Sequence, residues 1–195
     1  MNLDSSVATH FFQTKKYIII RGLLDPKLCE IVTDALLESK NKVNDSQCPL
    51  SKAIYSLKEV ERLMPPVQEI MEEINGQPLL PTYSYARVYQ PGEVLEYHTD
   101  RPACEISISI NLGQSGDDFR WPLWYANPDN IAERGPAVLD PGDALMYHGM
   151  IVPHWRDKFE PPRDDDWQTQ CFLHYVNKIG PHANQEFDGR KGLNL

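Results

Sequence analysis

The chain has no long apolar run, no excess of basic residues and no closely paired cysteines. Each absence excludes something. The most apolar short stretch is Tyr17–Ile20, whereas a membrane-spanning helix needs about 20 apolar residues in a row. No membrane partner is therefore expected. The first sixteen residues lack an apolar segment, so no secretory signal is expected. Lysine plus arginine number 19 against 28 acidic residues, a formal charge of −9. That sign repels phosphate, so no nucleic-acid partner is expected. The four cysteines, Cys29, Cys48, Cys104 and Cys171, are scattered without a C-x-x-C pair. They read as reduced, buried thiols of a cytoplasmic protein.

What remains is a chain of 195 residues with 41% hydrophobic and 10% aromatic residues, enough for one domain with its own core. Residues 1–79 read as a helical support region, 80–176 as the core and 177–195 as a C-terminal tail. Residues 16–23 form a β-branched strand. Asp25-Pro26 then opens a helix, with Asp25 at the N-cap and Pro26 at the first helical position. Leu28, Ile31, Val32, Ala35 and Leu36 make its apolar face. Residues 40–53 read as loop. A helical period returns over 56–74, expected to break into two helices at Pro65-Pro66 and to end at Asn75-Gly76.

Beyond residue 79 the period changes to two. Tyr83, Tyr85, Arg87 and Tyr89 alternate with smaller residues, and Glu105-Ile-Ser-Ile-Ser-Ile-Asn-Leu112 alternates strictly. Further short strands are expected at 121–125, 136–139, 143–148, 152–156 and 168–176. Helices first and strands afterwards predict a mainly β, α+β domain, a β-sandwich or jelly roll buttressed by N-terminal helices.

The chemistry concentrates around His98-Thr99-Asp100. In extended backbone, residues two apart share a side, so His98 and Asp100 can hold one metal ion. A histidine from a distant strand would complete a two-histidine, one-carboxylate face, which leaves three adjacent positions for a co-substrate and O₂. Pro141-Gly-Asp-Ala-Leu-Met-Tyr147 supplies a turn feeding a strand, and His148 and His154 follow it.

The stretch Tyr85-Ala-Arg-Val-Tyr-Gln-Pro-Gly-Glu-Val-Leu-Glu-Tyr-His-Thr-Asp100 resembles the metal-binding region of the prolyl-hydroxylase-like 2-oxoglutarate/Fe(II)-dependent dioxygenases. Pro141–Tyr147 with the histidine and cation after it, and the opening Arg21–Cys29, are similar to the same family. The resemblance covers most of residues 16–176. It implies a double-stranded β-helix (jelly roll) and an enzyme that hydroxylates a C–H bond with release of succinate and CO₂. The substrate would be a prolyl residue of a protein or peptide, or a small molecule. Cofactors would be Fe(II) and 2-oxoglutarate, with ascorbate as reductant.

The resemblance implies His98, Asp100 and His154 as the ligands. His154 is preferred to His148 because the family's distal histidine starts the following strand. It implies Tyr89 as a hydroxyl donor to the co-substrate. Relatives commonly place Arg or Lys about ten residues after the distal histidine, where this chain has Gln168, Thr169 and Gln170. The co-substrate's far carboxylate therefore falls to Arg156, with Arg163 and Arg87 as further candidates. Arg101 and Trp124 are candidate substrate contacts. His174 reads as a core histidine or an inward polar residue near the site. A non-catalytic jelly-roll binding module and a cupin-like metal enzyme without 2-oxoglutarate are the alternatives. The sequence sets neither the substrate nor the oligomeric state.

Overall fold

The computed structural model describes residues 5–116 and 119–195. In chain order the elements are α1 (Ser5–Lys15), β1 (Tyr17–Ile20), α2 (Pro26–Glu38), β2 (Val43–Asn44), β3 (Lys52–Tyr55), α3 (Lys58–Glu61), α4 (Met64–Asn75), β4 (Leu79–Tyr89), β5 (Leu95–His98), β6 (Ile106–Gln114), β7 (Leu123–Asn127), β8 (Asn130–Ala137), β9 (Ala144–His148), β10 (His154–Arg156) and β11 (Gln168–Asn177). A short 3₁₀ turn lies at Pro102–Cys104, and Ala183–Gly189 holds a turn that is kinked at Glu186, with Phe187 and Asp188 in the left-handed region. None of the described helices is long and apolar enough to cross a membrane.

The strands form two antiparallel sheets. The larger runs β1-β9-β6-β11-β4-β3-β2 and the smaller β5-β10-β7-β8. Period-two alternation gives the larger sheet two unlike faces. Ile106, Ile108 and Ile110 of β6, Ala86 and Val88 of β4, and Cys171 and Leu173 of β11 pack with Leu36, Met64 and Met71 of the helices. The opposite face turns toward the smaller sheet. It carries Tyr89, Leu145, Tyr147 and Phe172, which pack with Leu95 and Leu123. The same face also carries the polar residues Ser107, Ser109, Asn111, Gln170 and His174, all buried.

Helix α2 starts as the sequence predicts: the Asp25 carboxylate accepts the Lys27 N–H at 2.8 Å. Gly76 ends α4 in the left-handed region, φ +69°, where glycine has no Cβ to strain. Several expectations need correction. Pro65 and Pro66 lie in the first turn of α4 and do not divide two helices. Their missing N–H groups are needed least there, and the break falls at Arg62–Leu63. The stretch 40–53 contains β2, a two-residue exposed strand at the sheet edge, and the start of β3, which pairs between β2 and β4. Helix α1 has no counterpart in the sequence reading. Only a narrow stripe, Ala8 and Phe12, is buried, and α1 is tied to α4 by Thr9 on the Glu73 carbonyl and Gln13 on the Asn75 carbonyl. All four cysteines are free and buried.

Candidate metal centre and its cavity

The His98-Thr-Asp motif sits where β5 ends. On the antiparallel rung between β5 and β10, His98 stands directly opposite His154, with ring centroids 4.2 Å apart. Each imidazole has its Nδ1 against a backbone carbonyl, Glu96 O at 2.7 Å for His98 and Val152 O at 3.1 Å for His154. With the Nδ1 proton donated there, each Nε2 presents a lone pair. The two Nε2 atoms each lie 3.6 Å from Asp100 Oδ1. Donor atoms of the three side chains all fall within 4.8 Å of one another.

The chain just beyond the motif is fixed by its backbone. The Asp100 N–H donates to Gly149 O at 2.8 Å, and the Gly149 N–H donates to Glu105 O at 3.0 Å. A Cβ on Gly149 would meet Cys104 O at 2.2 Å and Asp100 Oδ2 at 2.6 Å, so only glycine fits. Glu105 itself holds Asn177, through its N–H at 2.9 Å and its side-chain amide at 3.0 Å.

Burial governs the charges. It pulls His154 down to about 4 and also lowers His98, with His154 adding to the effect. Burial pushes Asp100 up to about 6, against the pull of His98 and the Ser107 hydroxyl. Two neutral imidazoles and a carboxylate in poor solvation form a donor set that a divalent cation satisfies. His148 is not part of it. Alternation along β9 sends Tyr147 toward the cavity and His148 to the other side.

The triad opens into a cavity of about 460 Å³ whose walls include Tyr83, Tyr85, Arg87, Leu123, Phe172 and His174. Arg101 stands at its rim. Asp188, in the C-terminal turn, takes both Arg101 terminal nitrogens at 2.9 Å and the Tyr55 hydroxyl at 2.6 Å. The C-terminal tail thus belongs to the cavity's surroundings. It is held in turn by Arg190 on Glu61, at 2.8 Å.

The arginines differ sharply. Arg87 lines the cavity and is matched by Asp45, Nε to Oδ2 2.5 Å. Burial opposes that carboxylate, but the guanidinium holds it below its ordinary range. Arg156 is 2% exposed and, like Tyr89, is buried behind the cavity wall rather than lining it; it has no carboxylate partner among the described residues. It donates to Trp121 O and, at 2.9 Å, to Gln170 Oε1, while its Nε has no hydrogen-bond partner among the described residues. Burial draws Arg156 down to about 10. Tyr89 lies between the two guanidinium groups, its ring 5.7 Å from one and 5.5 Å from the other. Its hydroxyl accepts from Arg87 at 3.1 Å.

Arg163 lies at the surface, with its guanidinium 2.7 Å from Asp166, and is not part of the cavity wall. Trp124 is also outside the wall. Alternation along β7 sends Leu123 inward and stacks Trp124 on Trp155, centroids 6.1 Å apart. The sequence reading did not single out Asp45, Ser107 or Asp188. Ser107 was legible in principle as the polar partner of alternating isoleucines. Asp45 and Asp188 come from distant segments with no local motif.

No family model matches the chain, and no curated protein matches it. Solved structures do. HygX from Streptomyces hygroscopicus, with nickel and 2-oxoglutarate bound, superposes with TM-score 0.69 at 13% identity, over 87% of this chain and 86% of that one. A Pseudomonas putida prolyl-4-hydroxylase gives 0.68 at 10% identity over 87% and 97%. The non-haem α-ketoglutarate-dependent epimerase SnoN from nogalamycin biosynthesis gives 0.72 at 15% identity over 98% and 92%. The fold is that of the 2-oxoglutarate/Fe(II) oxygenases. It is a double-stranded β-helix, with the larger sheet backed by helices and the smaller carrying His98 and His154.

Proposed function

We propose that the chain is an Fe(II)- and 2-oxoglutarate-dependent dioxygenase that hydroxylates a C–H bond. The observation that carries this is the convergence of His98 Nε2, His154 Nε2 and Asp100 on one point at the cavity. Bound iron would supply O₂ activation coupled to decarboxylation of 2-oxoglutarate to succinate and CO₂. The chain's own residues hold and orient. Backbone carbonyls fix both imidazole tautomers, Gly149 fixes Asp100, and Leu95, Leu123, Tyr147 and Phe172 keep water from the inner wall.

Arg156 is the anchor for the co-substrate's far carboxylate. A buried cation without a counter-charge costs several kcal/mol, and an incoming carboxylate offsets that cost. Arg87 already has Asp45. Where relatives carry a cation on the last core strand, β11 supplies amides, and Gln170 grips the guanidinium that reaches in from β10. Tyr89, between the two arginines, offers its hydroxyl to the same carboxylate. A cavity of about 460 Å³ suits one side chain of a peptide or a compact small molecule. Four free buried thiols fit a cytoplasmic setting.

The test is succinate release from 2-oxoglutarate with Fe(II), with ascorbate as reductant. Wild-type protein should turn over. Arg156→Ala should raise the KM for 2-oxoglutarate about 30-fold or more, whereas Arg163→Ala should leave it unchanged. An Arg87→Gln variant that carries the whole KM effect moves the anchor to β4. Protein that binds iron but neither binds nor decarboxylates 2-oxoglutarate refutes the reading and favours a binding module or a cupin-like metal enzyme.

A further inference from the structure

A second set of donors faces the same cavity. Asp100, Cys104 and His174 have ligand atoms within 4.8 Å of one another, and all three residues line the cavity wall. We propose that Cys104 and His174, with Asp100 as a shared ligand, form a second metal site that takes a zinc-class ion. The inference does not rest on the oxygenase reading.

The donor chemistry separates this set from the triad. A thiolate beside an imidazole and a carboxylate favours a zinc-class ion, while two imidazoles and a carboxylate without sulfur take iron or zinc. Three protein ligands leave a fourth position toward the open cavity. The set is also braced from behind. The Ser107 hydroxyl lies 2.8 Å from His174 Nδ1, 3.0 Å from Cys104 O and 3.3 Å from Asp100 Oδ2. One hydroxyl thus touches all three residues, an arrangement that orients ligands from outside the coordination sphere. With Ser107 on Nδ1, His174 Nε2 has no hydrogen-bond partner among the described residues. The Cys104 sulfur has a single neighbour of this kind, the Tyr83 hydroxyl at 3.1 Å. Tetrahedral zinc brings its ligand atoms to about 3.3–3.7 Å apart. Small side-chain rotations therefore close the set, as they must for the triad. Cys104 binds as thiolate, with its proton released to solvent.

Cobalt(II) is the probe, because a cobalt–thiolate bond absorbs in the near ultraviolet and the triad has no sulfur. The background is the full chain carrying His98→Ala and His154→Ala, which removes two of the triad's three ligands. One equivalent of cobalt should bind with a thiolate charge-transfer band and release of one proton from the thiol, and zinc should bleach the band. Cys104→Ser in this background should abolish the band. His174→Gln should weaken cobalt binding at least about tenfold while the band survives at saturation. Circular dichroism checks that each variant is folded, and His98→Ala alone serves as the background if the double variant is not. Absence of the band overturns the proposal. So does an equal band after Cys104→Ser, since the sulfur would then be another cysteine.

Discussion

Replacing Asp100 by Asn should stabilise the metal-free protein while destroying its use for a metal. Asp100 is held at about 6 in the fold because burial disfavours its charge, and its ordinary value is 3.8. In the unfolded chain the carboxyl ionises near 3.8. Between there and about 6 the folded protein binds the extra proton. Stability from this group therefore falls as pH rises from about 4 to 6 and stays lower above that. That difference, about 2 pH units, corresponds to about 3 kcal/mol at neutral pH. This is an upper bound, because the side chain is 14% exposed. Asn removes the charge, keeps the size and still accepts from Ser107.

For a chain of this length 1 kcal/mol moves Tm by about 2–4 °C. Asp100→Asn should thus raise the Tm of chelator-treated protein by several degrees at pH 7.5, with the gain vanishing near pH 4. Added Mn(II) should reverse the order. Wild type gains about 2.7 kcal/mol at a hundred times the dissociation constant, and the variant, lacking the anionic ligand, gains far less. Circular-dichroism melts with chelator and with Mn(II) decide it. A variant no more stable than wild type at pH 7.5 without metal refutes the claim that the site stores destabilisation.

Gly149→Ala should abolish metal-induced stabilisation although Gly149 is no ligand, because the new Cβ strikes Cys104 O and Asp100 Oδ2; unchanged Mn(II) affinity by calorimetry would contradict the packing. Gln170→Leu leaves Arg156 Nη2, Gln168 and Ser109 without their partner. It should cost about 1–3 kcal/mol of stability and raise the KM for 2-oxoglutarate more than it lowers kcat, as steady-state kinetics will show. Acid should destabilise the metal-free protein through His154 and His174, which burial holds at about 4 and about 3. Their folded values lie below 6.5, so their stabilisation is present above pH 6.5 and is lost as pH falls, at about 1.4 kcal/mol per unit for each group. Asp100 works in the opposite sense between pH 6 and 4, so the loss should be steeper in Asp100→Asn. A Tm flat from pH 7 to 5 in that variant would exclude this account.

How much of this was legible beforehand depended on whether the signal was local. Most strands after residue 79, the Asp25 cap, the Gly76 stop and the His98–Asp100 pair are short-range patterns that the structure contains, whereas β5 was not expected and the strand expected at 136–139 runs over Asn130–Ala137. Helix α1 was not legible because Ala8 and Phe12, its buried residues among those described, give almost no periodicity. The β2–β3 segment was not legible because β2 is two exposed residues and β3 only four, too short for an alternation to register. The Pro65-Pro66 pair reads as a breaker because sequence alone does not say on which side of it the helix lies. Asp45 on Arg87 and Asp188 on Arg101 join residues 42 and 87 apart in sequence, and no local pattern reports such pairs.

The alternation in β6 carries one further step. A strand that reads Ile-Ser-Ile-Ser-Ile is conventionally assigned an apolar face toward the core and a polar face toward water. Here both faces are buried. The isoleucines meet the helices, and the polar face turns into the barrel, where Ser107 touches Asp100 and His174, and Ser109 takes the Gln170 amide at 2.7 Å. Buried hydroxyls and amides are tolerated because they bond one another. The chain is therefore helix-backed on its apolar faces and chemically equipped on its polar ones. β4 repeats the pattern, with Ala86 and Val88 toward the helices and Tyr85 and Arg87 on the cavity. β11 repeats it again, with Cys171 and Leu173 toward the helices and Phe172 and His174 on the cavity. In an alternating strand of such a barrel, the polar half marks the interior, and the residues to mutate first are the small polar ones between the isoleucines.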